Sequence, residues 1–258
     1  MAWNTPQDDL PELQPGLLTA GRMLEWRRTT GRMERIRAPE CVILTHQASL
    51  FRALAPRFGR GRQRGLFCDL RVYGAQHGRL GIAGNFGIGA PVTAAVVEEL
   101  AAVGVREIVA IDLAASLYAE VPTGTIVLVS EAAIGDGTSQ HYLPNTSEVE
   151  VSGDLSGRLA SALANRDIGF SAGRVWSTDA IYRETAAEVR RYRASDSVLV
   201  DMETAAFLSV GLALGVETAS LLVAADTLYD DWQPPADGAR VQTALRIAAR
   251  AARETLLA

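Results

Sequence analysis

Apolar residues along the chain fall into two alternating kinds of run. Short apolar or β-branched stretches occur at Cys41–Leu44, Leu66–Tyr73, Leu80–Phe86, Glu107–Leu113, Thr125–Val129, Gly169–Trp176, Ser197–Val200 and Thr218–Ala225, with the length and composition of strands. Between several of them apolar positions recur at helical spacing, over Val92–Val103, Leu155–Ala164, Ala186–Tyr192, Thr204–Leu214 and Arg240–Leu257. Alternation of this kind means crossover connections and a mostly parallel sheet covered by helices. The start of the chain differs: Pro6, Pro11 and Pro15 punctuate a loop, and Leu17–Ile36 is an arginine-rich helical pattern. Residues 1–39 are therefore expected to form an N-terminal helical extension, and residues 40–258 one α/β domain. No internal repeat or low-complexity linker divides the latter.

Composition narrows the class. Of 258 residues, 48% are hydrophobic and 21% charged, which excludes disorder and coiled coil. A domain of this size buries about 70–75% of its unfolded surface and needs no disulfide or metal staple. The apolar stretch around Ser209 to Ala225 is interrupted by Glu217 and flanked by Glu203 and Asp226, so it is not read as a membrane span. The polar, acidic opening does not read as a signal peptide. A soluble, cytoplasmic protein is the expected class, with no membrane or nucleic-acid partner.

Charge is unevenly distributed. Arg22 to Arg79 holds thirteen arginines against four acids, an excess of +9, while the net charge of the chain is −5. All 25 basic residues are arginine, so lysine Schiff-base chemistry and lysine-dependent phosphate loops are excluded. Solvated surface is the simpler account of the arginine bias. The sharper one is a patch for phosphate groups or for an acidic neighbouring subunit, because guanidinium binds oxyanions in a fork.

Gly84-Asn85-Phe86-Gly87-Ile88-Gly89-Ala90-Pro91 follows a strand and opens a helix. Its glycines suit close approach to a ligand, but Val92 stands where a dinucleotide fingerprint has its third glycine, so no nicotinamide cofactor is expected. His46, His77 and His141 have no metal-ligand spacing with each other or with Cys41 and Cys68, and no Gly-x-Ser-x-Gly elbow is present. No cofactor and no metal are expected.

Four segments, in order, resemble the nucleoside phosphorylases of the type that includes uridine phosphorylase, the hexameric purine enzymes and the methylthioadenosine nucleosidases. Gly87-Ile88-Gly89-Ala90-Pro91 with Ala94 to Leu100 resembles the glycine loop and its helix. Gly135-Asp136-Gly137-Thr138-Ser139 with His141 to Pro144 is similar to a strand end of the uridine branch. Ser177-Thr178-Asp179-Ala180-Ile181-Tyr182 resembles a segment near the base pocket. Asp201-Met202-Glu203-Thr204-Ala205-Ala206 resembles the ribose-binding signature, and Asp226 stands at the acid position of purine members. The resemblance implies a mixed central sheet flanked by helices, a homo-oligomer (dimer or trimer of dimers), and cleavage of the N-glycosidic bond of a nucleoside or nucleotide. It implies Glu203 at the ribose hydroxyls, Met202 beneath the sugar, Asp226 as acid for the leaving base, and Asp201, Gly87, Gly89, Ile181, Tyr182, Ala114 and Ala115 around the substrate. From the residues alone, Asp201 and Glu203 are equally helix N-terminal acids favoured by the macrodipole, and Asp226 a strand-end capping acid.

The phosphate ligands depart from the pattern. Thr45 and Ser49 stand where the resemblance puts a glycine and an arginine, and Ala110, Asp112 and Leu113 replace an arginine, a glycine and a threonine. The arginine lent by a partner subunit aligns near Phe67, with Arg71 as its substitute; Thr185 and Ala187 replace uracil-reading residues. His46, Ser49, Arg71 and Leu113 thus bound an expected water or phosphate region, with Asp112 repelling a dianion and His46 available as a base. Phosphorolysis follows from the resemblance. Hydrolysis, or a non-catalytic nucleoside-binding descendant, follows equally from the missing ligands.

Overall fold

The computed structural model describes residues 16–34, 38–58, 65–73, 76–151 and 153–258. Prolines 6, 11 and 15, the end of the Leu17–Ile36 pattern, and Arg60, Arg62 and Arg64 of the arginine-rich segment lie outside these residues.

Ten strands alternate with seven helices among the described residues: α1 (Ala20–Thr29), β1 (Cys41–Leu44), α2 (Ala48–Leu54), β2 (Asp69–Val72), β3 (Leu80–Gly84), α3 (Ala90–Val103), β4 (Glu107–Ser116), β5 (Ile126–Gly135), β6 (Glu148–Glu150), α4 (Leu155–Ala164), β7 (Ser171–Thr178), α5 (Ala186–Arg193), β8 (Ser197–Asp201), α6 (Thr204–Leu214), β9 (Glu217–Leu228), β10 (Trp232–Gln233) and α7 (Gly238–Leu257). They form one sheet in the order β10-β9-β5-β7-β8-β4-β1-β3-β2, with β6 on β5 and a further β4–β9 pairing. That extra pairing closes β4, β9, β5, β7 and β8 into a ring.

The sheet is mixed, as the resemblance implies, where strand–helix alternation alone pointed to a mostly parallel one. β4 and β9 run parallel from Glu107↔Glu217 onward, whereas β5 meets β9, and β8 meets β4, antiparallel. The two reversals cancel around the ring and so are compatible with its closure, and strand–helix alternation carries no signal for them. β5 also runs beyond Val129, where the polar pair Ser130-Glu131 suggests a strand end. The chain bulges there against β7, and Glu131 accepts an ion-pair contact from Arg174 at 3.1 Å. The seven-residue α2 is too short to display a period, and the sequence reading leaves it as loop.

Side chains alternate across β1 as pleating demands. Cys41 and Ile43 join β4's Val109 and Ile111 beneath α4 and α7, while Val42 and Leu44 join Ile108 and Ala110 beneath α3 and α6. A smaller cluster under α5 contains Trp176, stacked on Tyr192 with ring centroids 4.2 Å apart. The N-terminal helix does not stand off from this body. Arg27 in α1 donates to Glu99 of α3 and to the Gly65 carbonyl, each at 2.6 Å. No described helix is long and apolar enough to cross a membrane, and the described residues hold no cluster of three or more potential metal ligands.

Candidate functional site

The parallel strands β1, β4 and β9 end on one side of the sheet, where open α/β sheets bind ligands. A cavity of about 690 Å³ opens there, within the range of small-molecule sites. β1 delivers His46, β4 Asp112 to Ala115, and β9 Ala225 and Asp226. The end of β8 and the turn after it add Asp201, Met202 and Glu203, and the segment after β7 adds Ile181, Tyr182 and Glu184. A register shift between Ala114 and Ala115 pairs Ala115 with Asp226 and leaves Ala225 as the extra residue. Such bulges re-aim side chains beside functional sites.

Glu203 is held from two sides. Its Oε1 accepts from the Gly89 N–H at 2.6 Å and its Oε2 from the Met202 N–H at 3.2 Å. Gly89, with φ of +101°, precedes α3 as its N-cap. This backbone region favours glycine and turns an N–H at a helix start toward a carboxylate. Burial, and then the neighbouring Asp201 charge, push the Glu203 carboxyl above the usual range, opposed by His46. Met202 lines the same wall.

Asp201 differs from expectation. Its Oδ1 accepts from the Ser177 hydroxyl and its Oδ2 from the Thr204 N–H at 3.0 Å and the Thr204 hydroxyl. Burial raises its pKa against these bonds. Although it borders the cavity, its oxygens tie β8 to β7 and cap the start of α6, so the helix-start alternative describes its observed contacts.

Asp112 also differs. The expectation made it a bare charge facing an incoming dianion, but it is bonded to His46. Its Oδ2 lies 2.7 Å from His46 Nδ1 and 3.1 Å from the His46 backbone N–H. His46 Nε2 lies 2.8 Å from Thr93 Oγ1, whose hydroxyl donates to the Gly89 carbonyl at 2.9 Å. With the Thr93 hydroxyl donating to Gly89, its oxygen accepts from Nε2–H, and this arrangement, together with a pKa of about 8, favours the ring protonated on both nitrogens at neutral pH. Burial pushes the His46 pKa down, but the Asp112 charge and hydrogen bond, with Glu203 and Asp201 behind them, outweigh it and hold it at about 8. An imidazolium bonded on both sides has no lone pair for base work, which corrects the reading of His46 as an available base.

At the opposite end Asp226 accepts from Trp232 Nε1 at 2.8 Å. Trp232 comes from β10, which pairs with β9 as a hairpin. Glu184 lines this end too, and burial followed by the Asp226 and Glu188 charges raises its pKa to about 7. Ile181 and Tyr182 stand exposed in a short helical turn at the mouth, and Leu113, Ala114 and Ala115 line the wall between. Gly87 lies in the exposed loop before α3 and does not line the cavity, nor do Ser49 in α2 or Arg71 in β2. Glu184, Thr93 and Trp232 escaped the sequence reading. Glu184 follows a flagged segment by two residues; no periodicity marks the others.

A family model described as the phosphorylase superfamily matches residues 56–258. The chain belongs to this superfamily. Among its relatives, a guanosine phosphorylase of Halorubrum lacusprofundi is 27% identical over 151 residues, 58% of this chain and 63% of that protein. The chain thus matches less than two thirds of that relative's length. Among solved structures, uridine phosphorylase from Vibrio fischeri superposes with a TM-score of 0.74 at 21% identity, covering 86% of this chain and 93% of that one. AMP nucleosidase from Bacteroides thetaiotaomicron gives 0.72 at 20% identity, covering 93% and 100%. At such identities these two likenesses establish the superfamily fold of mixed sheet and flanking helices.

Proposed function

We propose that the protein cleaves the N-glycosidic bond of a purine nucleoside and that water, rather than inorganic phosphate, accepts the ribosyl group. Membership of the phosphorylase superfamily supports the reaction class. One observation carries the choice of acceptor: among the described lining residues of the cavity there is no arginine, while five are carboxylates, Asp112, Glu184, Asp201, Glu203 and Asp226. A phosphate dianion entering there loses its hydration and meets no cation except His46, which Asp112 already neutralises, a penalty of several kcal/mol. A neutral water does not.

In this reading Glu203 holds the ribose hydroxyls and faces the positive charge that develops on the sugar as the bond breaks. Met202 packs against the sugar as an apolar surface. The Asp226–Glu184 end receives the base. A carboxyl with a pKa of about 7 is about half protonated at neutral pH, and the protonated fraction can donate to a departing purine. The His46–Asp112 pair supplies a polar wall without net charge on the acceptor side; the proton that water loses on bonding to the sugar passes to solvent, from which the Glu184 carboxylate regains the one it gave to the base.

A second reading is favoured by a separate observation. With both nitrogens of His46 bonded, no free imidazole base faces the acceptor, as expected of a protein that only binds a nucleoside. Chromatography of a nucleoside panel incubated with the protein, with and without phosphate, tests both. Base release independent of phosphate is the expected result. Phosphate-dependent release refutes the acceptor assignment, and binding without release supports the second reading.

A further inference from the structure

A second cavity, of about 410 Å³, lies between the α2 end of the chain and α7 and shares no lining residue with the candidate active site. Arg57, Arg246, Arg250 and Arg253 surround it. The last three are spaced four and three residues apart on α7, so they project from one face. Arg57 enters from the helical turn Ala55–Phe58 that follows α2. The floor is apolar and aromatic: Phe58 and Tyr73 lie there with ring centroids 5.5 Å apart.

Four guanidiniums border one concavity with little carboxylate to balance them. Among the described residues only Arg250 has a carboxylate partner, Glu254 at 3.4 Å, and Glu254 is shared with Arg166. Arg57, Arg246 and Arg253 form no ion pair with a described residue. Like charges at these helical spacings repel, and the N-terminal arginine excess that includes Arg57 has no role in the reaction above. We infer that this cavity binds the di- or triphosphate group of a small molecule, held by the forks of Arg57, Arg246, Arg250 and Arg253. Guanidinium forks match phosphate oxygens bidentately, and the floor of Phe58 and Tyr73 suits a ring attached to such a group. The candidate active site, lacking arginine, has the opposite electrostatic character. The two cavities therefore sort ligands by charge.

Calorimetric titration of the full chain at low salt with pyrophosphate, ATP and adenosine is the test. The expected result is saturable binding of pyrophosphate and ATP at this cavity. The double variant Arg246→Glu/Arg253→Glu weakens it by roughly tenfold or more. Asp226→Asn, at the other cavity, leaves it unchanged. ATP binding more tightly than pyrophosphate assigns the ring to Phe58 and Tyr73; equal affinity identifies an inorganic polyphosphate as the ligand. Arg246→Gln/Arg253→Gln repeats the measurement should the charge reversal impair folding. The inference is overturned if neither anion binds saturably, or if binding survives both double variants. It is equally overturned if neither anion binds and charge reversal changes only the assembly state in sedimentation, which gives this face to an acidic protein surface instead.

Discussion

Asp112→Asn isolates the pairing that distinguishes the acceptor side of the cavity. In the native protein the imidazolium of His46 is almost fully enclosed, with 3% of its side chain exposed, and its pKa of about 8 stands above the ordinary 6.5. A group whose folded pKa is raised stabilises the fold fully below the unfolded value, and that stability disappears as pH rises through the folded one. The difference corresponds to about 2 kcal/mol below pH 6.5, roughly 1 kcal/mol at pH 7 and almost nothing at pH 9. Asparagine keeps the shape and an acceptor for Nδ1–H but removes the charge, so burial acts unopposed by Asp112 and His46 becomes neutral. Nε2 then accepts from Thr93, whose hydroxyl releases the Gly89 carbonyl; the lost bond costs about 1 kcal/mol at every pH. Urea unfolding of both proteins from pH 6 to 9 is the assay. The window above pH 7 matters most, because Glu184 and Glu203 also carry raised pKa values and their protonation contributes at lower pH. The native protein should lose its advantage over the variant by about 1 kcal/mol between pH 7 and 9. A gap that is constant to within about 0.5 kcal/mol, or that widens with pH, refutes the protonated His46–Asp112 pair.

Glu203→Gln should lower turnover on a verified nucleoside by roughly 10²-fold or more, the scale of a lost transition-state contact; an unchanged rate removes Glu203 from the ribose site. Asp226→Asn should slow purine nucleosides more than substrates with activated leaving groups that need no proton, and equal losses make Asp226 structural. Since the protonated carboxyl of Glu184 is the working form, the rate on purine nucleosides should fall as pH rises through about 7. Glu184→Gln should flatten that limb; an unaltered pH profile rules the residue out as the donor. Titration with inorganic phosphate should show no saturable binding at the candidate active site, and tight binding there contradicts the reading of Ala110, Asp112 and Leu113.

Eight of the strands and the long helices were legible as apolar runs and helical spacing, whereas the two- and three-residue β10 and β6 were not. β1, α4 and α6 lie where alternation and helical spacing put them. What escaped depends on closure. The β4–β9 pairing and the antiparallel joins on either side of it are long-range choices that no local window contains. The site divides in the same way. Glu203, Met202 and Asp226 stand in contiguous motifs, and the cavity brings them together. Asp112 meets His46 across 66 positions of sequence, so a residue that reads as an isolated charge becomes half of a pair. Glu184 acquires its raised pKa from burial and from the charges of Asp226 and Glu188, which folding brings near it. The arginines follow the same logic: their excess is visible in composition, but only folding brings Arg57 to α7 and away from the lining of the candidate active site.

The charge balance of the candidate active site links these details to the chemistry. Five carboxylates border one cavity, and His46 is the only cation-forming side chain among its described lining residues. Such a surplus is unfavourable without a positive charge to face: burial first, and then neighbouring carboxylate charges, raise the pKa values of Glu203 and Glu184. Interactions accelerate a reaction only when they strengthen on the way to the transition state. A neutral nucleoside gains little from the surplus, whereas a ribosyl group developing positive charge gains from each ionised carboxylate near it. The same field opposes a phosphate dianion throughout. A cavity of this composition therefore favours bond breaking at the sugar while discouraging the anionic acceptor, and water is the acceptor consistent with both effects.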